Sequence, residues 1–445
     1  MPGSAHGGFI GPPLRILVVS NLFPPYYRGG YELRCEQVAE GLARRGHTIQ
    51  VLTSVYGLPR AGGGFPRSDD PGGVRVHRLL QQSAYEGRNV RRPWTYYQAR
   101  GELADARTFI RIVREFAPNV VNWWSLDGIT QTLLPLAHRL GVPDVHWIED
   151  PWMIRNSGAD GEIPATFWRT VWEGAWGPPP LRPLLRLAGR WAEGRAARAG
   201  LPTREFAIRP SHVCFVSHYL RSYYRDRGLT FPASEVIHGG VPVDDFLQPL
   251  RHPRPGEPLR LLYAGQISSD RGLHCVIEAL GMLERRHRSD VTLRVAGHGP
   301  TPYFEAVQKR VSELDLGGQV EFLGKVPHDQ MHTVFGSSDL LVFPSARPEG
   351  LPLTMVEAML GGCAVVSTGS GGAEEIAALA EQPRFPPEDP PALSRLLARL
   401  IEDRGEVLRL ATRGQRVAVK EFSLDQMLDR WMLTLNRIVA KVNER

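Results

Sequence analysis

Residues 15–54 read RILVVSNLFPPYYRGGYELRCEQVAEGLARRGHTIQVLTS. Arg15 to Ser20 is a short apolar run of strand length, and a turn-rich loop from Asn21 to Gly30 follows it. In the next stretch Leu33, Val38 and Leu42, with the small Ala39 and Ala43, recur at helical spacing. Arg44-Arg45-Gly46-His47 then supplies cationic last-turn residues and a glycine that ends the helix. Thr48 to Ser54 returns to strand character. Strand, helix and strand in this order make a βαβ unit, and a parallel sheet follows from it.

Further strand candidates are NVVNWW, PDVHWI and HVCFVS, separated by helical stretches. After the polar, proline-rich segment LQPLRHPRPGEP (Leu247 to Pro258) the pattern begins again. LRLLYAG is a strand, LHCVIEALGMLERR a helix, and VTLRVAGHG, VEFLG, DLLVFPS and CAVVSTGS are further strands. With 445 residues the chain is too long for one ordinary core. The expected architecture is therefore α/β, with two Rossmann-like domains, 1–248 and 259–422, facing across a cleft. The last stretch, 423–445, is an amphipathic helix expected to cross back to the first domain.

The composition, 42% hydrophobic and 22% charged, is that of a soluble globular protein. The first residues lack the basic and apolar regions of a secretory signal, and no apolar run reaches the roughly 18 residues a membrane span needs. The four cysteines are scattered without a CxxC pair, so a reduced cytoplasmic setting is expected and a zinc site is not. The net charge of +6 is uneven: between Ile163 and Arg209 stand eight Arg against three Glu. One basic segment is a poor fit to nucleic acid, which calls for a broad stripe.

Neither half carries GxGxxG between its first strand and first helix, which disfavours a dinucleotide-binding dehydrogenase. Gly29-Gly30 stands there in the first half, where free N–H groups at a helix start favour an anion. In the second half, Gly265-Gln266 leads to Arg271-Gly272 at the next helix start. A cation there opposes the helix dipole, so its presence points to an anionic ligand such as a diphosphate, with pairing to Asp270 as the alternative. Farther on, ARPEGLPLTMVEAMLGG (Ala346 to Gly362) sets Glu349 and Glu357 eight residues apart. Pro352 suits the first turn of a helix, and the N–H groups near Gly350, Leu351 and Leu353 would point out of the sheet's carboxyl edge. Carboxylates beside such donors accept from hydroxyls, the groups that a ribose and a hexose display.

The second half resembles the retaining GT-B glycosyltransferases of family four. The likeness rests on YAGQISSDRG, FLGKV and FPSARPEGLPLTMVEAMLGGCAVVSTGSGGAEEI, with the Glu-x7-Glu spacing, and in the first half on FPPYYRGGYELRCEQVAEGLARRGHTIQVLTS. VSHYLRSYY and IHGGVPVDDF agree at the junction, so most of the chain outside about 155–210 is covered. The resemblance implies a nucleotide-sugar donor held by the second domain. Arg271 would meet the diphosphate, Glu349 with the backbone of Gly350 and Leu351 the donor sugar, and Glu357 the ribose. The backbone near Lys325 and Val326 would meet the base, and Gly30 would close on the phosphates.

The chain departs from the family pattern twice. Gln266 stands where the family usually has Arg, and Arg271 replaces the usual Lys, so Arg28 or Arg347 is expected to supplement the phosphate charge. In HWIEDPW, Glu149 takes the place of a histidine. Glu149 and Asp150 are the acceptor-side candidates, with His146 a weaker one, since strand alternation can turn it into the core. No Asp-x-Asp occurs, so no metal or other cofactor is expected, and transfer to a glycan, lipid-linked or small-molecule hydroxyl is the leading expectation. A sugar-nucleotide epimerase on the same fold and a non-catalytic nucleotide-sugar or polyanion-binding protein are the alternatives.

The segment 163–209 is not explained by this resemblance. In LRPLLRLAGRWAEGRAAR, Arg182, Arg186 and Arg190 repeat every four residues, while Leu184, Leu187, Ala188 and Trp191 share another face. Such a helix either lies on an anionic membrane or packs on the first domain with its arginines solvated. Trp168, Trp172 and Trp176 nearby are candidates for stacking on sugar rings.

Overall fold

The computed structural model describes residues 12–27, 29–55, 68–69, 73–81, 94–156, 162–163, 179–198, 200, 203, 206–207, 209–252 and 256–443. Arg28, Trp168, Trp172, Trp176 and most of 155–181 lie outside the described residues. Two compact units emerge. The first holds Met1–Phe215, Arg221–Val236 and Leu428–Arg445, and the second holds Val216–Leu220 and Ile237–Met427. After the short excursion at Val216–Leu220, the chain passes into the second unit again at Ile237, ahead of the proline-rich segment that the sequence marks as the join.

In the first unit, strands β1 (Arg15–Val19), β2 (Thr48–Ser54), β3 (Ser68–Asp69), β4 (Val74–Leu80), β5 (Val120–Trp123) and β6 (Asp144–Ile148) belong to one sheet. A separate antiparallel pair, β7 (Glu162–Ile163) and β8 (Phe206–Ala207), stands apart from it. With β9 (His212–Phe215) and β10 (Ser234–Val236) the large sheet has eight strands in the order β10-β9-β6-β5-β1-β2-β4-β3. Only β3 runs antiparallel to its neighbour, β4. β1 pairs with β2 and β5 in parallel, Ile16 opposite both Ile49 and Val120. Its Ile16, Leu17, Val18 and Val19 are all buried, as a strand covered on both faces requires. The Gly30–Arg44 helix crosses between β1 and β2 and buries Cys35, Val38, Ala39 and Leu42.

The C-terminal helix, Leu424–Asn443, belongs to this unit from Leu428 onward. Its Trp431 ring meets Trp147 of β6 edge-on at 4.9 Å. Thr434 donates its hydroxyl to Glu235 at 2.6 Å.

The second unit is built on a five-stranded parallel sheet. Its strands are β11 (Leu259–Ala264), β12 (Val291–Ala296), β13 (Val320–Gly324), β14 (Leu340–Phe343) and β15 (Ala364–Ser367), in the order β13-β12-β11-β14-β15. Period-two alternation divides their side chains between two cores. Leu259, Leu261, Tyr263, Leu340 and Val342 face one of them, with Leu273, Ile277 and Leu397. Leu262, Ala264, Leu341, Phe343 and Val365 face the other, with Leu353, Val356 and Met359. Truncating one of these fully buried leucines to alanine would cost about 2–5 kcal/mol. Among the described residues, no helix is long and apolar enough to cross a membrane.

Candidate active site

At the carboxyl edge of the second sheet, β11 leads through Gly265 and Gln266 into a 3-10 turn, Ser269–Arg271, and then into the Leu273–Met282 helix. Gly272 between them has φ +73°, and a Cβ there would lie 2.2 Å from the carbonyl oxygen of Pro344. Only glycine both adopts that angle and lets the turn press against the loop after β14. The N–H groups of Ala346 and Arg347 seal the contact by donating to the Asp270 carbonyl at 3.1 and 3.2 Å.

With the two loops fastened, Nη1 of Arg271 donates to Oε1 of Glu349. The Asp270 carboxylate turns instead to Ser268 and, at 3.6 Å, to Arg347. The expected alternative for Arg271, pairing with Asp270, is therefore replaced by a bond to Glu349. Burial and then the charge of Arg347 press the Arg271 guanidinium below its ordinary value. Arg347 is thus a second cation close to the first, where Gln266 leaves one missing from the family pattern.

Glu349 is positioned from behind by the Gly371-Gly372 pair that opens the Gly372–Leu379 helix. The Gly372 N–H donates to the Glu349 carbonyl at 2.8 Å. A Cβ on Gly372 would sit 2.0 Å from the Gly350 carbonyl oxygen, so the backbones touch without a side chain between them. The following helix runs from Leu353 to Leu360, with Pro352 as its N-cap and not in its first turn. Pro352 has ψ near 91°, an extended geometry that belongs to the cap. Leu353 is buried in the core, and Leu351 packs against it.

Glu357 has a different partner. Its Oε1 lies 3.2 Å from Nε2 of His328, which follows Lys325, Val326 and Pro327 in the loop after β13. Phe246 meets the His328 ring edge-on at 5.4 Å. Val326 packs on the core, whereas Lys325 is exposed. The structure accordingly gathers Arg271, Arg347, Asp270 and Glu349 in one group and ties Glu357 to His328 in another. Nothing in the spacing of the two glutamates foretold His328.

In the first unit the Gly29-Gly30 helix start is partly satisfied by its own helix. The Gly29 N–H, a donor that the sequence suggested for an anion, here donates to Oε2 of Glu32 at 3.1 Å. The signal was present as a glutamate three residues beyond the cap. Glu149, after β6, is buried and accepts from Nε of Arg34 at 3.0 Å and from the Trp147 indole at 2.8 Å. Burial pushes its carboxyl above the usual range against the pull of Arg34. The Asp150 carbonyl accepts from the Tyr224 hydroxyl at 3.0 Å. His146 is fully buried, with Nε2 at 3.0 Å from Asp144.

Among the described residues, two groups of metal-type ligands have their atoms within 4.8 Å of one another: His212, Cys214 and Glu235, and His218, His238 and Glu375. Neither includes a residue of the site above. Glu235 is already taken up by His212, Thr434 and Arg437, and Glu375 by His238 and the N–H groups of His218 and Tyr219.

Residues 28–245 match the Glycosyltransferase Family 4 model, and residues 247–417 match Glycosyl transferases group 1. The chain is 31% identical to the lipopolysaccharide 1,2-N-acetylglucosaminetransferase of Salmonella typhimurium, over 36% of this chain and 44% of that protein, less than half its length. It is 21% identical to an uncharacterized glycosyltransferase of Methanocaldococcus jannaschii over 82% of both chains. Among solved structures, Anabaena HepE in complex with UDP superposes with a TM-score of 0.66 at 19% identity, covering 95% of this chain and all of that one, a likeness of fold. The chain belongs to the glycosyl transferases group 1 family and is a glycosyltransferase of GT-B fold.

Proposed function

We propose that this enzyme moves a hexosyl group from a nucleoside-diphosphate sugar to an acceptor hydroxyl with retention at the anomeric carbon and without a metal ion. The Arg271–Glu349 pair carries this reading. It holds a cation for the diphosphate beside a carboxylate for the sugar hydroxyls, and Arg347 stands by as a second cation. Glu357 binds the ribose hydroxyls, and the backbone at Lys325 and Val326 borders the base.

In the reaction the bond between the anomeric carbon and the diphosphate oxygen breaks, and negative charge grows on the leaving group. Arg271, Arg347 and the N–H groups at the Leu353–Leu360 helix start stabilise that charge electrostatically. The acceptor oxygen bonds to the same face of the sugar while its proton passes to the departing phosphate. That route needs no strong protein base, consistent with Glu149 being held by Arg34 and Trp147 in the interior. We place the reaction in the cytoplasm, a setting supported by the four free, buried cysteines.

The test is incubation with a panel of sugar nucleotides in the presence of a chelator. Slow donor hydrolysis, and a product whose anomeric configuration matches the donor's by NMR, are the expected results. Isomerised donor would instead identify an epimerase, and binding without turnover a sensor. Activity abolished by the chelator, or an inverted product, would overturn the mechanism.

A further inference from the structure

We propose that the Arg182–Arg198 helix, with Leu181 just ahead of it, docks on the anionic phospholipid surface of a membrane. Four large apolar side chains of this segment turn outward. Leu181 is 47% exposed, Leu184 66%, Leu187 67% and Trp191 63%. At about 100° per residue, Leu184, Leu187 and Trp191 fall within a sector about 60° wide. Among the described side chains, those that it buries are the small Gly189 and Ala196 on the far side. A surface helix ordinarily faces its apolar stripe to the core, whereas Leu184, Leu187 and Trp191 share a face turned away from it. Single exposed leucines need no explanation, but a stripe of this kind marks an interaction surface.

The charges around the stripe select a lipid surface. The helix carries five arginines and one glutamate, Glu193, which accepts from the Thr203 hydroxyl at 3.3 Å. Arg186 and Arg190 are exposed and border the stripe on one side. The Arg195 guanidinium lies 4.8 Å from the centroid of the Trp191 ring. Tryptophan beside arginine, above a row of leucines, is the composition of a helix lying in the headgroup plane, with its aliphatic side chains below and its guanidinium groups at the phosphates. The helix does not span the bilayer. This inference stands apart from the transfer chemistry, since its readout requires no donor.

Co-sedimentation of the full chain with vesicles tests it. Binding is expected to vesicles of phosphatidylcholine mixed with phosphatidylglycerol and not to phosphatidylcholine alone, and it should weaken as salt screens the arginines. Each arginine near such a surface contributes about a fivefold gain, so Arg186→Gln with Arg190→Gln should bind about thirtyfold more weakly. Leu187→Ser should lose about tenfold or more, the worth of one buried leucine. Both changes are at exposed positions, and an unchanged thermal melt will verify that the fold is intact. The inference is overturned if the protein stays in the supernatant with the anionic vesicles, or if both variants sediment like the parent. It is equally overturned if the stripe instead drives self-association that Leu187→Ser abolishes, without vesicle binding.

Discussion

Arg271 and Glu349, 78 residues apart in the chain, share a hydrogen bond at the carboxyl edge of the second sheet. The guanidinium and the carboxylate therefore hold each other in place, and on the proposed reading the donor's diphosphate competes for the same cation. Opposite charges about 4 Å apart interact by about 4 kcal/mol at an effective dielectric of about 20. If most of that energy is realised only as the leaving group gathers charge, Arg271→Ala should lower kcat by about a thousandfold. Steady-state kinetics checks this, and a change confined to KM would place the interaction in the ground state.

Glu357 and His328 supply a second prediction. If Glu357 accepts from the ribose hydroxyls as proposed, its loss costs about 1.5–3 kcal/mol, so Glu357→Ala should weaken nucleotide binding by about 10- to 100-fold. Calorimetric titration with the free nucleoside diphosphate measures this without the sugar. His328→Ala, which removes the neighbour of the carboxylate and not the carboxylate itself, should have the smaller effect.

The close approach of Gly372 to the Gly350 carbonyl makes a steric prediction. A methyl group there must displace the Glu349-Gly350 backbone, at a cost of about 1–3 kcal/mol. Gly372→Ala should lower the thermal midpoint and impair donor binding together. A variant with full donor affinity would show that Glu349 is not positioned from this side.

Much of this was legible in the chain. The βαβ reading of residues 15–54 held because helical spacing in Leu33, Val38 and Leu42 switches to strand character within one short turn. The Glu349 stretch was legible because a proline and a glycine fix where its loop ends. What stayed hidden depends on distant partners. Arg34 reaches Glu149 across 115 residues, and His328 reaches Glu357 across 29, with no local periodicity to announce either. At Gly29 the partner of the N–H was legible, since Glu32 stands three residues beyond the cap. For the Arg182–Arg198 helix, amphipathic spacing was visible, but only burial shows which face turns outward.

Asp144 predicts a pH dependence of stability. Burial pushes its carboxyl up, but hydrogen bonds from His138 and His146 outweigh that and hold it well below the usual carboxylate range. Such a group contributes stability that is fully present above its unfolded value of about 4 and is lost as the pH falls toward the native one. His138, raised by the same bond, contributes in the opposite sense, with its share lost as the pH rises through its raised value. Asp144→Asn removes the buried charge that Trp123 and Ser211 also bond to. The variant should lose about 3–5 kcal/mol near neutrality and show a flatter decline below about pH 4 in urea unfolding.

The central claim is that the second unit seizes the diphosphate of an activated sugar with Arg271. The most direct measurement is calorimetric titration of the whole protein, and of its Arg271→Ala form, with a panel of nucleoside-diphosphate sugars. At least one donor should bind the parent protein saturably and lose most of its affinity in the variant. Equal affinity in both forms, or no binding of any donor by the parent, would contradict it.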